Sequence, residues 1–265
     1  MTIPHSRTVL TVLAVVALGV LTAASANAAM VAYNDVVVDR NQGNPIANVT
    51  RYNIGNGSPG PSSGLLTDFV TGTSTGITAT LTQVGGVVWQ PGDVGTDYST
   101  AGAETNSGTD AYTTFTAVGI LVKGVVYYGS AGWYVDLVFT GLDPAKSYEF
   151  VTTANRNGSS SYLDRISTYT ISDALAYTNT SSSGGAGAST TFITGNNTVN
   201  GYVARWTGIR SGTDGDFSVR ATNGNPSVNK GYAFSVFKLS EIPEPSSFMV
   251  LAMGLLPLVL RRRRK

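Results

Sequence analysis

The chain has no cysteine and only one histidine, His5, in 265 residues. Without thiols it forms neither disulfides nor a cysteine nucleophile. With its one imidazole so near the N-terminus, the rest of the chain offers no Ser-His-Asp triad and no His-ligated zinc. Charge is sparse as well, since Asp, Glu, Lys and Arg together make up 12%. Glycine is in excess, with 31 residues against an average usage of roughly 7%. It recurs with Ser, Thr, Asn and Asp between short apolar runs, the punctuation of a chain that turns often.

The two ends differ from the middle. A cationic head closes at Arg7, an apolar run follows from Val9 to Leu21, and two A-x-A sites come next, Ala24-Ser25-Ala26 and Ala26-Asn27-Ala28. This order predicts a secretory signal peptide over residues 1–28, with an apolar core too short for a stable membrane span. Its removal takes His5 with it.

The C-terminal end reads Ile242-Pro243-Glu244-Pro245-Ser246-Ser247, an apolar stretch from Phe248 to Leu260, then Arg261, Arg262, Arg263, Arg264 and Lys265. Two prolines around one glutamate make a stiff extended segment, because proline lacks the amide donor and restrains its neighbour. As a helix the apolar stretch would be about 20 Å long, short of a hydrocarbon core of about 30 Å. Pro257 weakens it further as a permanent anchor. The five cations favour the cytoplasmic side, which leaves the body of the chain outside.

The order Pro243-Glu244-Pro245, short hydrophobic helix and arginine cluster resembles the PEP-CTERM sorting tail of Gram-negative bacteria. The resemblance covers residues 242–265 only. It implies an address: passage through the export machinery, transient residence in the inner membrane, and processing near Pro-Glu-Pro by an exosortase, a membrane protease. It further implies delivery to the cell surface or extracellular matrix, where exopolysaccharide is the expected contact. It carries over no catalytic residue.

Setting aside Arg7, Glu244 and the five terminal cations leaves residues 29–242 with a net charge of −4. A weakly acidic body has no electrostatic footprint for nucleic acid, whose binders gather Lys and Arg on one face.

Between Ala29 and Glu241 short runs alternate with the period of strands. Ile77–Thr82 alternates strictly, and Trp133, Val135, Leu137 and Phe139 point one way while Tyr134, Asp136, Val138 and Thr140 point the other. Further strands are expected at Tyr148–Thr153, Arg165–Ile171, Gly201–Thr207, Phe217–Ala221 and Tyr232–Leu239, and earlier ones at Asp35–Asp39, Val49–Ile54 and Leu66–Thr71. Residues 91–110 and 178–191 read as long surface loops, and no helix of convincing length is expected. The fold class that follows is all-β: an antiparallel sandwich of residues 29–241, flanked by an N-terminal signal helix and a short C-terminal transmembrane helix. Two smaller sandwiches dividing near Gly129 are the alternative.

The connection Leu142-Asp143-Pro144-Ala145-Lys146-Ser147-Tyr148 joins a strand end to a tyrosine that enters the next strand. It resembles the tyrosine corner of fibronectin type III and related sandwiches, which implies a buried ring whose hydroxyl bonds back to turn backbone. For a body of this length the resemblance points to a larger, galactose-binding-like jelly roll.

The candidate chemistry is thin. Carboxylates are the remaining acid and base groups, with Asp136, Glu149 and Asp164 on or near strands, and a glycosidase would need two of them about 5–9.5 Å apart. No organic cofactor is expected. Calcium is the one ion the acidic loops admit, through Asp93, Asp97, Glu104 and Asp110, or through Asp214-Gly215-Asp216, which also reads as a hairpin turn. Trp89, Tyr98 and Trp206 are the candidates for stacking on sugar rings, with Tyr112, Tyr127 and Tyr128 behind them. The expected protein is non-catalytic, with a carbohydrate-active hydrolase as the rival.

Overall fold

The computed structural model describes residues 29–35, 48–51, 62–84, 102–122, 131–156 and 160–243. The expected signal helix and tail helix fall outside these residues, and among the described residues no helix is long and apolar enough to cross a membrane. Among the described residues, twelve strands form two sheets of six. They are β1 (Val31–Asp35), β2 (Thr50–Arg51), β3 (Ser62–Thr67), β4 (Ser74–Val84), β5 (Tyr134–Thr140) and β6 (Ser147–Thr153), then β7 (Ile166–Ser172), β8 (Ala174–Asn179), β9 (Ser189–Ile193), β10 (Ala204–Ser211), β11 (Phe217–Asn223) and β12 (Val236–Ile242). The front sheet has the order β2-β1-β12-β6-β10-β8 and the back sheet β3-β4-β5-β11-β7-β9. All neighbours are antiparallel except β1 and β2. Each sheet draws strands from both sides of Gly129, since β1 pairs with β12 and β4 with β5.

Alternation decides which side chains meet between the sheets. On β5, Val135, Leu137 and Phe139 are buried while Tyr134, Asp136 and Val138 are half-exposed. Phe150 of β6, Trp206 of β10, Phe217 of β11 and Phe237 of β12 join them in one core. Phe139 meets Phe150 and Phe237 edge-on, at 5.4 Å between centroids in both cases. Edge-to-face pairs of this kind add to the burial of each ring.

A second core lies on the other side of the front sheet. Tyr33, Val151, Val203 and Val236, which alternate with first-core residues along the chain, pack against Ala111, Phe115, Ile120 and Val122. These last four come from residues 102–122, which contain the short helix α1 (Asp110–Thr114). Thr109 caps α1 by accepting from the Tyr112 amide at 3.3 Å, the local device that starts a helix without apolar periodicity. The segment is riveted by Asn155, whose Nδ2 donates to Ala103 O at 2.8 Å and to Thr198 Oγ1 at 3.0 Å. Asn155 Oδ1 accepts from the Asn197 amide at 2.8 Å, and Asn197 Oδ1 from the Tyr202 amide at 2.8 Å. Arg205 on β10 completes the clamp with both carboxylate oxygens of Asp110, at 3.0 and 2.7 Å.

The expected strands at 77–82, 148–153, 165–171 and 217–221 coincide with β4, β6, β7 and β11. Others are displaced. The first strand is Val31–Asp35 rather than 35–39, whose residues 36–39 lie outside the described set, and Thr50–Arg51 is the described strand within 49–54. The expected strand at 66–71 ends at Thr67, because the Asp68 carboxylate accepts from the amides of Val70 and Thr71 and holds a turn. The strands expected at 201–207 and 232–239 run instead from Ala204 to Ser211 and from Val236 to Ile242. The loop expected at 178–191 narrows to residues 180–188, between edge strands β8 and β9, both absent from the sequence reading. Leu175 on β8 is 73% exposed, so this edge strand shows no buried apolar row to give it away. The expected hairpin at Asp214-Gly215 is a tight turn that changes sheets, for β10 belongs to the front sheet and β11 to the back.

The Leu142–Tyr148 connection behaves as the sandwich resemblance implies. Tyr148 is buried, and its hydroxyl accepts from the Asp143 amide at 2.9 Å. Burial is the main cause that raises its phenol above the ordinary value, so it stays neutral.

Candidate functional surfaces

Among the described residues, 102–122 cover the front sheet, and the outer face of the back sheet carries half-exposed and exposed side chains. Its outward side chains are set by register. One rank across the strands is Ser63, Thr80, Val138, Ser218 and Ser172, and the next is Thr82, Asp136, Arg220, Thr170 and Ser189. Val84, Tyr134, Thr222, Thr168 and Thr191 form a third rank. Ranks of a sheet are spaced by about 4.8 Å between strands and about 6.8 Å along them. The hydroxyls pair laterally: Ser63 with Thr80 at 2.8 Å, Thr168 with Thr191 at 2.8 Å, Thr170 with Ser189 at 2.9 Å and Ser172 with Ser218 at 2.7 Å. Each shared bond consumes one donor and leaves acceptor lone pairs facing outward. One ion pair interrupts the field. Arg220 reaches both oxygens of Asp136 at 2.7 Å and lies 3.8 Å from the centroid of the Tyr134 ring.

The carboxylates Asp136, Glu149 and Asp164 do not converge. Asp136 belongs to the outer face of the back sheet, whereas Glu149 points out of the front sheet and binds Lys238 at 2.8 Å. Asp164 precedes β7 and lies 3.4 Å from Arg165. The three are spread over two sheets and one end of the sandwich, and none has an arrangement of two carboxyl groups flanking a cleft.

The expected sugar-stacking residues fare unevenly. Trp206 is corrected outright. It is fully buried, stacked on Phe150 at 6.3 Å, because Ala204 and Trp206 face the core while Arg205 between them faces out. Trp89, Tyr98, Tyr127 and Tyr128 lie outside the described residues, as do the calcium candidates Asp93 and Asp97. Of the other two calcium candidates, Glu104 accepts from Thr116 Oγ1 and from the Val122 amide at 3.2 Å, and Asp110 is spent on Arg205. Among the described residues no three Asp, Glu, His or Cys side chains are grouped to hold a metal ion. Asp214 and Asp216 do gain a neighbour that spacing did not reveal, Asp173 at the β7–β8 turn. Burial, a hydrogen bond donated by the protonated Asp216 to Asp214, and the charges of Asp214 and Asp173 all raise the Asp216 carboxyl.

The hydroxyl face was half legible. Thr78, Thr80 and Thr82 alternate with apolar residues in the sequence, and so do Thr168 and Thr170. What sequence cannot give is the strand order that lays them side by side. Of the expected sorting motif, Pro243 directly follows β12, which closes with Ile242 opposite Ser147, and Glu244 and Pro245 lie outside the described residues. No family model, curated protein or solved structure matches this chain.

Proposed function

We propose that the chain is an exported, non-catalytic protein of the bacterial cell surface or extracellular matrix, sorted by its C-terminal tail and contacting exopolysaccharide. The observation that carries the reading is the ordered tail: Pro243-Glu244-Pro245, the apolar stretch Phe248–Leu260, and Arg261–Lys265. Two structural features support it. The last strand among the described residues, β12, closes at Ile242, so cleavage beyond Pro243 leaves every described strand in place. The open face of the back sheet is a near-neutral field of hydroxyls and methyls, which suits a polyol chain by hydrogen bonding over a broad area.

The test is expression of the full chain in an exosortase-bearing Gram-negative host, with fractionation and mass spectrometry of the recovered protein. The expected product lacks residues 1–28 and the tail, and appears at the surface or in the medium. Glu244→Ala should leave an unprocessed, membrane-retained chain. Recovery of the intact 265 residues from the cytosol would refute the proposal. For the contact, Thr170→Asp and Thr80→Asp on the hydroxyl face should reduce co-sedimentation with the host polysaccharide, and unchanged co-sedimentation would remove that face from the reading.

A further inference from the structure

Ile242, the last residue of β12, is followed directly by Pro243 of the expected sorting motif. β12 is no edge strand, for it lies between β1 and β6 in the front sheet. Ser240 therefore faces Val31 on one side and Glu149 on the other, and Ile242 faces Ser147. Between them the Glu241 amide donates to Met30 O at 2.8 Å, and the Glu241 carboxylate accepts from Lys146 Nζ at 2.7 Å. Leu239 is fully buried in the first core, Ser240 is buried, and Glu241 and Ile242 are half-buried. The chain is thus held up to the residue that precedes the motif.

An extended peptide is recognised through its main-chain groups, and a protease needs about three or four residues before the scissile bond free of other partners. For the Ile242–Pro243 bond these are Leu239–Ile242, so a cut there draws a core side chain out of the sandwich. For Pro243–Glu244 they begin at Ser240, and for Glu244–Pro245 at Glu241, both held in β12. Proline adds a second bar, since Pro243 and Pro245 offer no amide on the leaving side of the first and third of these bonds. β12 is the last strand, so its partners β1 and β6 have already been exported when the tail reaches the membrane. From the other direction, the apolar stretch starts at Phe248, and a hydrocarbon core holds no water for hydrolysis.

We infer, resting on the reading of residues 242–265 as a sorting tail, that the cut falls after Pro245, at one of the bonds within Pro245-Ser246-Ser247-Phe248. The C–N bond of that amide breaks. Water gives its hydroxyl to the new C-terminal carboxyl of the body and its hydrogen to the amine of the released tail. Pro243, Glu244 and Pro245 stay with the mature protein, and β12 keeps its partners throughout.

The test is to express the full chain in an exosortase-bearing Gram-negative host and digest the recovered protein with trypsin. Lys238 is the last cation before Arg261, so the C-terminal peptide starts at Leu239 and its fragment ions read the cut directly. The expected peptide ends at Pro245, Ser246 or Ser247. A peptide that ends at Ile242, Pro243 or Glu244 overturns the inference while the sorting reading stands. A peptide Leu239–Arg261 from protein that has lost residues 1–28 overturns the sorting reading and the inference with it. Lys146→Glu tests the reason for the position. It sets like charge against Glu241 and raises opening of the β12 end by about three- to five-fold. Cleavage of an opened segment follows its open population, so a protease that borrows β12 processes this variant faster by that factor. The expected result is the same cut at a rate changed less than about two-fold, and a greater acceleration overturns the inference.

Discussion

Replacing Asp68 by asparagine tests how β1 is tied to the turn between β3 and β4. Burial by itself would raise the Asp68 carboxyl, but hydrogen bonds from Thr71 N and Oγ1, Val31 N and Val70 N outweigh it and hold the carboxyl below its ordinary value. The distances are 2.7 and 2.8 Å from Thr71, 3.1 Å from Val31 and 3.1 Å from Val70. Bonds to an ionised acceptor contribute about 1.5–3 kcal/mol, against about 1 for neutral ones. An asparagine keeps one acceptor oxygen and turns an NH2 toward one of the donors. The expected loss is about 2–3 kcal/mol at neutral pH, or a Tm lower by about 5–10 °C for a body of this size. A carboxyl depressed by folding contributes stability above its unfolded pKa, and that stability is lost as pH falls through the folded value. The gap between parent and Asp68→Asn must therefore close in acid, when the parent's own carboxyl is protonated. Thermal melts followed by circular dichroism at about pH 7 and about pH 2 measure both quantities. No gap at neutral pH, or a gap of the same size in acid, would refute the reasoning.

Two further substitutions probe the turns that position the sheets. Tyr148→Phe removes the acceptor for the Asp143 amide and should cost about 1–2 kcal/mol in equilibrium urea unfolding; a neutral result would show that the corner is held by ring burial alone. Gly215→Ala places a methyl at φ +75°, 2.6 Å from the Leu142 carbonyl oxygen, whereas Gly132→Ala has the same φ with open space around it. The left-handed conformation alone costs about 1–2 kcal/mol, so Gly132→Ala should lose about that much and Gly215→Ala distinctly more. Equal losses would mean that Leu142 yields freely.

How far the sequence spoke can be argued from particular strands. β5 and β4 were legible because their outward residues are polar and their inward ones large, so a period of two stands out. β8 and β9 were not, since edge strands bury little and Ser-Thr-Thr-Phe-Ile has too few apolar positions to set a rhythm. The tyrosine corner was legible because its chemistry is local, with Tyr148 five positions after Asp143. The Trp206 reading failed for the opposite reason: only the sheet pairing shows that Ala204 and Trp206 face inward on β10 while Arg205 faces out. The second core escaped because its four front-sheet residues share strands with the first core. A strand buried on both faces loses the alternation that marks it. Asp173 joins Asp214 and Asp216 only through the crossing of β10 and β11 between sheets.

Among the described residues, covering one broad side with 102–122 leaves a body dressed on one side and bare on the other. Such a particle has a back and a front. Neighbours recruited along a common surface would share a heading, as roof tiles do, and the lateral pattern of the resulting coat would follow from which side a single unit keeps bare.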